Sequence, residues 1–179
     1  MIDYWSGVGN FHEEGYRRAV EVLLEHFARD ILGTANDRDF LILPILYLFR
    51  HYLKLRFKEI MVLGRIILGE KNKRPWGHEL DKLWQDCRRV CGDILGESFA
   101  EALDEVGRCV QEVASLDPNS ENFRYPRDKH GNPVFRHHVI CLKNLYDVVR
   151  KIARLLDGIS IDFYQRVKEL EDAGLFDSP

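Results

Sequence analysis

The longest apolar-rich run of the chain lies between Arg38 and Gly69. On a helix, at about 100° per residue, its apolar positions fall into two stripes. Leu46, Phe49, Leu53, Phe57, Ile60, Gly64 and Ile67 form one, and Leu48, Tyr52, Leu55, Val62 and Ile66 form another nearly opposite. Tyr47, Arg50, His51, Lys54, Lys58 and Arg65 fill the wedge between them. A helix that is apolar on two sides packs against neighbours on two sides, which makes this the central helix of a bundle. Asp39 suits its N-cap, and Pro44 falls in the early turns, where a missing N–H costs least. Glu59 lies within the second stripe, where a carboxylate needs a partner.

The rest of the chain repeats the helical period. Tyr16, Ala19, Val20, Leu23, Leu24, Phe27, Ala28 and Ile31 share a face, with Glu13, Glu14 and Arg17 off it and Gly33 as a C-cap. Leu80, Leu83, Trp84, Cys87, Val90, Cys91, Ile94 and Leu95 make a third stripe that stops at Gly96. Phe99, Ala102, Leu103, Val106, Val110, Val113 and Leu116 make a fourth. The connection between these two is so short that they are antiparallel neighbours or one bent helix. Val134 to Leu156 gives a fifth, Gly158 marks a break, and Ile161, Phe163, Tyr164, Val167, Leu170 and Leu175 give a last short one. The pattern predicts helices over 13–32, 40–69, 78–95, 97–116, 134–157 and 160–173. Residues 1–12 read as an N-terminal arm and 174–179 as a tail. Residues 117–133 carry three prolines and no period, yet hold Phe123 and Tyr125, which a bare linker does not need. The expected fold is therefore all-α: a single domain over 1–179, an up-and-down helical bundle of five to six helices with one long ordered loop before the fifth.

Composition narrows the function. A hydrophobic content of 45% with 31% charged residues is ordinary for a soluble domain. A net charge of −3 and a pI near 6.2 argue against a general nucleic-acid coat protein, so any such binding needs a local basic patch. Charges in the middle of the long run exclude a membrane span. The N-terminus has no basic start followed by an apolar stretch, and four cysteines lack a framework spacing, so reduced thiols in a cytoplasm are expected. Cys87 and Cys91 lie one turn apart but form no CxxC pair, and burial in helices accounts for the cysteines better than zinc shared with His137 or His138. No metal or cofactor is expected. P-loop, GxGxxG, GxSxG and HExxH patterns do not occur.

What chemistry remains is in the wedge. A basic strip with a histidine and no facing carboxylate suits an anion or a phosphate backbone. The same residues also read as a solvated face that keeps the helix in water.

Three short patterns add to this: Arg50-His51-Tyr52-Leu53-Lys54-Leu55, Gly77-His78-Glu79-Leu80 and Phe123-Arg124-Tyr125-Pro126. In that order, within an all-helical chain, they resemble the HEPN superfamily of prokaryotic helical-bundle proteins, over roughly residues 39–157. Lys54 departs from the pattern, since similar sequences often place a glutamate there. The resemblance implies an up-and-down bundle, often a dimer. Many members are metal-independent ribonucleases of toxin–antitoxin, phage-defence or RNA-processing systems; others are inactive binding modules. The family signature is an arginine followed, a few residues on, by a histidine near the start of a late helix. Arg124 and His130 match that spacing, although Pro126 and Gly131 put them in a loop. In that role His130 exchanges protons with the 2′-hydroxyl and the leaving oxygen, and Arg124 holds the phosphate. Arg50, His51, Lys54 and His78 bind the substrate, and Tyr125 or Tyr47 stacks on a base. The implied partners are RNA, a cognate antitoxin or defence-system protein, and a second copy of the chain. The alternative is a non-catalytic module that binds a partner protein or nucleotide. Its Arg/His cluster is then a structural clasp, with Arg124 locked to Glu79 or Asp81.

Overall fold

A computed structural model describes residues 9–28, 35–70, 77–118, 120–127, 130–133 and 140–175. They form an all-α bundle of α1 (Gly9–Ala28), α2 (Ala35–Ile67), α3 (Leu80–Leu95), α4 (Ala100–Leu116) and α5 (Leu142–Asp172), with a 3₁₀ turn at Glu97–Phe99 between α3 and α4. Among the described residues no helix is long and apolar enough to cross a membrane. The only strand-like feature among them is an isolated bridge between Arg127 and Pro133.

Several boundaries differ from expectation for identifiable reasons. The first helix starts at Gly9, so part of the expected arm is helical; Gly33 lies outside the described residues. Asp39 is inside α2 and is not its cap. Pro44 is tolerated in the helix body because it is exposed, and so is Phe40, whose carbonyl loses its helical donor. The expected fifth and sixth helices are one. A glycine within a helix costs only about 1 kcal/mol relative to alanine. Buried Leu156, Ile159 and Phe163 continue one stripe across Gly158, and their packing offsets that cost. The start expected at 134 falls outside the described residues; Ile140 and Cys141 are not helical.

The core is centred on α2, which packs against α1, α3 and α5. Phe49, Tyr52, Leu53, Phe57, Ile60 and Met61 are fully buried, together with Leu80, Leu156 and Phe163. Burial extends past the two stripes because three neighbours surround the helix: Ile45, Met61 and Leu63 are buried, while Leu48, Leu55 and Val62 are half-buried. Phe99, expected inward, is partly exposed in the 3₁₀ turn. Cys87, Cys91 and Cys109 are buried free thiols, as expected of small helix residues, but Cys141 is exposed. Glu59 has its partner in Arg56, which also reaches Asp157 at 2.9 Å and Ser160 at 3.3 Å. Tyr52 donates its hydroxyl to Asp157 at 2.9 Å. These bonds tie α2 to α5. Glu13, expected on the polar face of α1, is buried beside this network, and burial raises its pKa above the ordinary carboxylate value.

The sense of the helices places the site. Phe57 meets Trp84 with ring centroids 5.1 Å apart. A Cβ built on Gly64 would lie 2.2 Å from Val90 Cγ1. So α3 runs in the same sense as the second half of α2, and begins level with the middle of α2 instead of beyond its end. Helix α4 then runs back along α3: Trp84 lies beside Gly107, and Arg88 reaches Asp104 at 2.5 Å. The end of α4 is thereby returned to the start of α3, level with Arg50.

Candidate functional site

Where the start of α3, the end of α4 and the middle of α2 come together, a cavity of about 440 Å³ opens. Tyr47, Arg50, His51 and Lys54 of α2 line it, with His78 before α3 and Asp117, Ser120 and Arg124 after α4. Asp117 is fully buried and Arg50 is only 4% exposed. Lys54 and His51 are half-buried, and His78 and Arg124 are exposed, so Arg50 lies deepest among the basic groups.

Asp117 organises this end of the bundle. Pro118 disfavours a helical conformation in the residue before it, which stops α4 there. The freed carboxylate then serves two elements. Its Oδ1 accepts the backbone N–H groups of Glu121 at 2.7 Å and Asn122 at 2.8 Å, and its Oδ2 accepts Arg50 Nε at 3.1 Å. Asn122 Nδ2 donates to the Leu116 carbonyl at 2.8 Å. Phe123 is buried in the core next to these turns, so this part of the long loop is docked. Tyr125, expected to dock with it, is 54% exposed.

Arg124 does not lock onto Glu79 or Asp81. Its guanidinium bonds the Ser120 carbonyl, from Nε at 2.8 Å and also from Nη2, and lies over the Tyr125 ring at 5.3 Å. Glu79 instead pairs with Lys82 at 2.7 Å. The buried ion pair here is Arg50–Asp117, so the facing carboxylate that the wedge lacks on its own helix comes from the residue that follows α4.

The electrostatics follow from this arrangement. Burial lowers the Arg50 pKa, the Asp117 and Asp81 charges oppose that, and Arg124 adds to it. The guanidinium nevertheless stays charged at any working pH, and its buried Nη2 has no hydrogen-bond partner among the described residues. Lys54 is lowered by burial and by the positive charges of Lys58, Arg50 and Arg124. His51 is pulled down to about 4 by burial, then by Lys54 and Lys58, so its imidazole is neutral near pH 7. Its ring sits between Tyr16 at 4.3 Å and Tyr47 at 6.0 Å.

Of the residues singled out in the sequence, Arg50, His51, Lys54, His78 and Arg124 share this cavity. His130 is exposed and is not among the lining residues; Tyr125 stacks under Arg124 outside the lining. Sequence reasoning missed Asp117 and Ser120 as parts of the site. The Asp-Pro-Asn-Ser run was readable as a turn whose aspartate bonds backbone N–H groups further on, but nothing local tied that carboxylate to Arg50. A comparison of the chain with family models, curated proteins and solved structures finds no match.

Proposed function

We propose that the cavity binds the phosphate groups of RNA, and that the protein is a HEPN-like RNA-binding protein acting as a metal-independent endoribonuclease of a prokaryotic toxin or phage-defence system. The observation that carries this reading is the charge of the lining: Arg50, Lys54 and Arg124 face one carboxylate, Asp117, which Arg50 already engages. Among the described residues Lys54 and Arg124 have no carboxylate partner. Cations gathered this way repel one another, and an anionic ligand relieves the repulsion. Tyr47 beside the cavity and Tyr125 at its edge offer faces on which unpaired bases stack. In cleavage Arg124 holds the scissile phosphate, and His130, from the neighbouring turn, exchanges the proton of the attacking 2′-hydroxyl.

A second reading has its own observation. Arg50 and Asp117 are both buried and bonded, as a fold clasp would be, which suits a non-catalytic module that binds a partner protein or nucleotide. The two separate on purified protein incubated with diverse RNAs in chelator. Metal-free cleavage that His130→Ala abolishes with the fold intact, and that Arg124→Ala weakens together with binding, supports the nuclease. RNAs left uncut, with Arg124→Ala only lowering the melting temperature, favour the module.

A further inference from the structure

We infer that the cavity also takes a phosphomonoester dianion, the terminal phosphate of an RNA chain, and holds it more tightly than an internal phosphodiester. This rests on the RNA-binding reading only for the identity of the chain that carries the phosphate.

Charge is the first argument. Both Asp117 oxygens are occupied, by Arg50 Nε and by two backbone N–H groups, so that carboxylate cancels one cation and attracts nothing further. Lys54 and Arg124 remain, which leaves the lining two charges positive before either histidine is counted. Asp81 is felt by Arg50, but it is exposed and lines the separate groove between α3 and α4. An internal phosphodiester brings a single negative charge, whereas a phosphomonoester carries about −1.5 to −2 at pH 7 and presents three terminal oxygens.

Depth is the second argument. Arg50 lies deepest, only 4% exposed, while Arg124 and His78 stand at the rim. A phosphate that approaches the Arg50 side chain leaves solvent behind on most sides. A chain end can do this by entering phosphate first. A phosphodiester would have to draw the sugars on both sides of it into about 440 Å³.

The test is a binding titration with one short RNA sequence in three forms: 5′-phosphorylated, 3′-phosphorylated and hydroxyl-ended. Orthophosphate is the competitor, and the His130→Ala chain is used so that cleavage does not intrude. Arg50 is left intact because its loss strands Asp117. Lys54→Gln removes a half-buried cation with no carboxylate partner, and its melting temperature checks the fold. Tenfold or tighter binding of one phosphorylated form over the hydroxyl form, displaced by orthophosphate and levelled by Lys54→Gln, supports the inference, and the preferred form tells which end enters. Equal binding of all three forms overturns it while leaving RNA binding in place. Orthophosphate binding that Lys54→Gln abolishes, with no RNA bound, upholds the monoester pocket and removes the RNA reading. Binding of neither overturns both.

Discussion

Replacing Asp117 with alanine puts the greatest demand on the physical account of this site. The carboxylate is fully buried and holds three hydrogen bonds, two from backbone N–H groups and one from Arg50 Nε. Its removal strands a guanidinium that is 4% exposed and already has one nitrogen without a partner among the described residues. Breaking a buried ion pair from one side costs about 3–5 kcal/mol, because the other charge is left desolvated and unpaired. For a chain of this size each kcal/mol moves the melting temperature by about 2–4 °C, so Asp117→Ala is expected to melt about 6–20 °C below the wild type. Asp117→Asn keeps one acceptor oxygen for the backbone and loses the charge, so it should fall between the two. The double variant Arg50→Met with Asp117→Ala removes the stranded charge and should recover part of the loss, a positive coupling in a double-mutant cycle. With the Arg50→Met single variant included to close the cycle, thermal and urea unfolding of the five proteins measures all of this. A loss below about 1 kcal/mol for Asp117→Ala would refute the reasoning, since that is the worth of an exposed pair.

Two further outcomes test the packing and the electrostatics. Gly64→Ala should destabilise the chain, because its Cβ would come within 2.2 Å of Val90 Cγ1, on a stiff β-branched side chain, and 3.1 Å of Ile94 and Phe163. Overpacking of about 1–3 kcal/mol outweighs the gain of about 1 kcal/mol in helix propensity; Gly158→Ala, with nothing within 4 Å of its Cβ, should show that gain alone in denaturant melts. The His51 ring should titrate near 4 by NMR, below its ordinary value of 6.5. Its unfolded form binds the proton first, so the stability this group contributes is present above about pH 6.5 and lost as the pH falls towards 4. Sulfate, a dianion throughout that window, should move the midpoint upward if the cavity takes anions, and an unmoved midpoint counts against an anion site there.

Most of the helical layout was legible because it is written in local period. The stripe from Leu80 to Cys91 is buried as drawn, and Leu103, Val106, Val110 and Val113 face inward as their spacing requires. The misreadings arise where a local signal met a tertiary one. Gly158 reads as a stop, yet α5 continues because buried residues on both sides of it pack on the same neighbour. Glu13 reads as a surface acid, yet burial beside the Arg56 network on α2 and α5 holds it inside. Tyr125 reads as a docking aromatic, but Phe123 alone fills that role, and Tyr125 carries the Arg124 guanidinium instead. In the wedge, Arg50 and Lys54 could be seen to share one side of a helix with His51. That this side faces a cavity could not be seen, because the sense of α3 relative to α2 is set by packing at Gly64 and Trp84 and not by either helix's own pattern.

On the proposed reading the Arg50–Asp117 bond serves both the fold and the anion site. Had α3 started beyond the end of α2, Arg50 would look onto solvent and the basic strip would be a hydrated face. Because α3 starts level with the middle of α2 and α4 runs back along it, Asp117 arrives at Arg50 from 67 residues away. That pairing allows a guanidinium to be buried at all, since an unpaired charge at the same depth is strongly disfavoured. The pair uses Nε and leaves Nη2 without a partner among the described residues. The turns that Asp117 ties through Glu121 and Asn122 also set Arg124 at the rim. Asp117 therefore positions two cations while cancelling only one. An aspartate placed solely to neutralise the wedge would leave no donor unsatisfied, and one placed solely to end α4 would not need Arg50. This is why the variants of Asp117 should change anion affinity as well as stability, and why a variant that lost stability while binding orthophosphate as the wild type does would reduce the pair to a clasp.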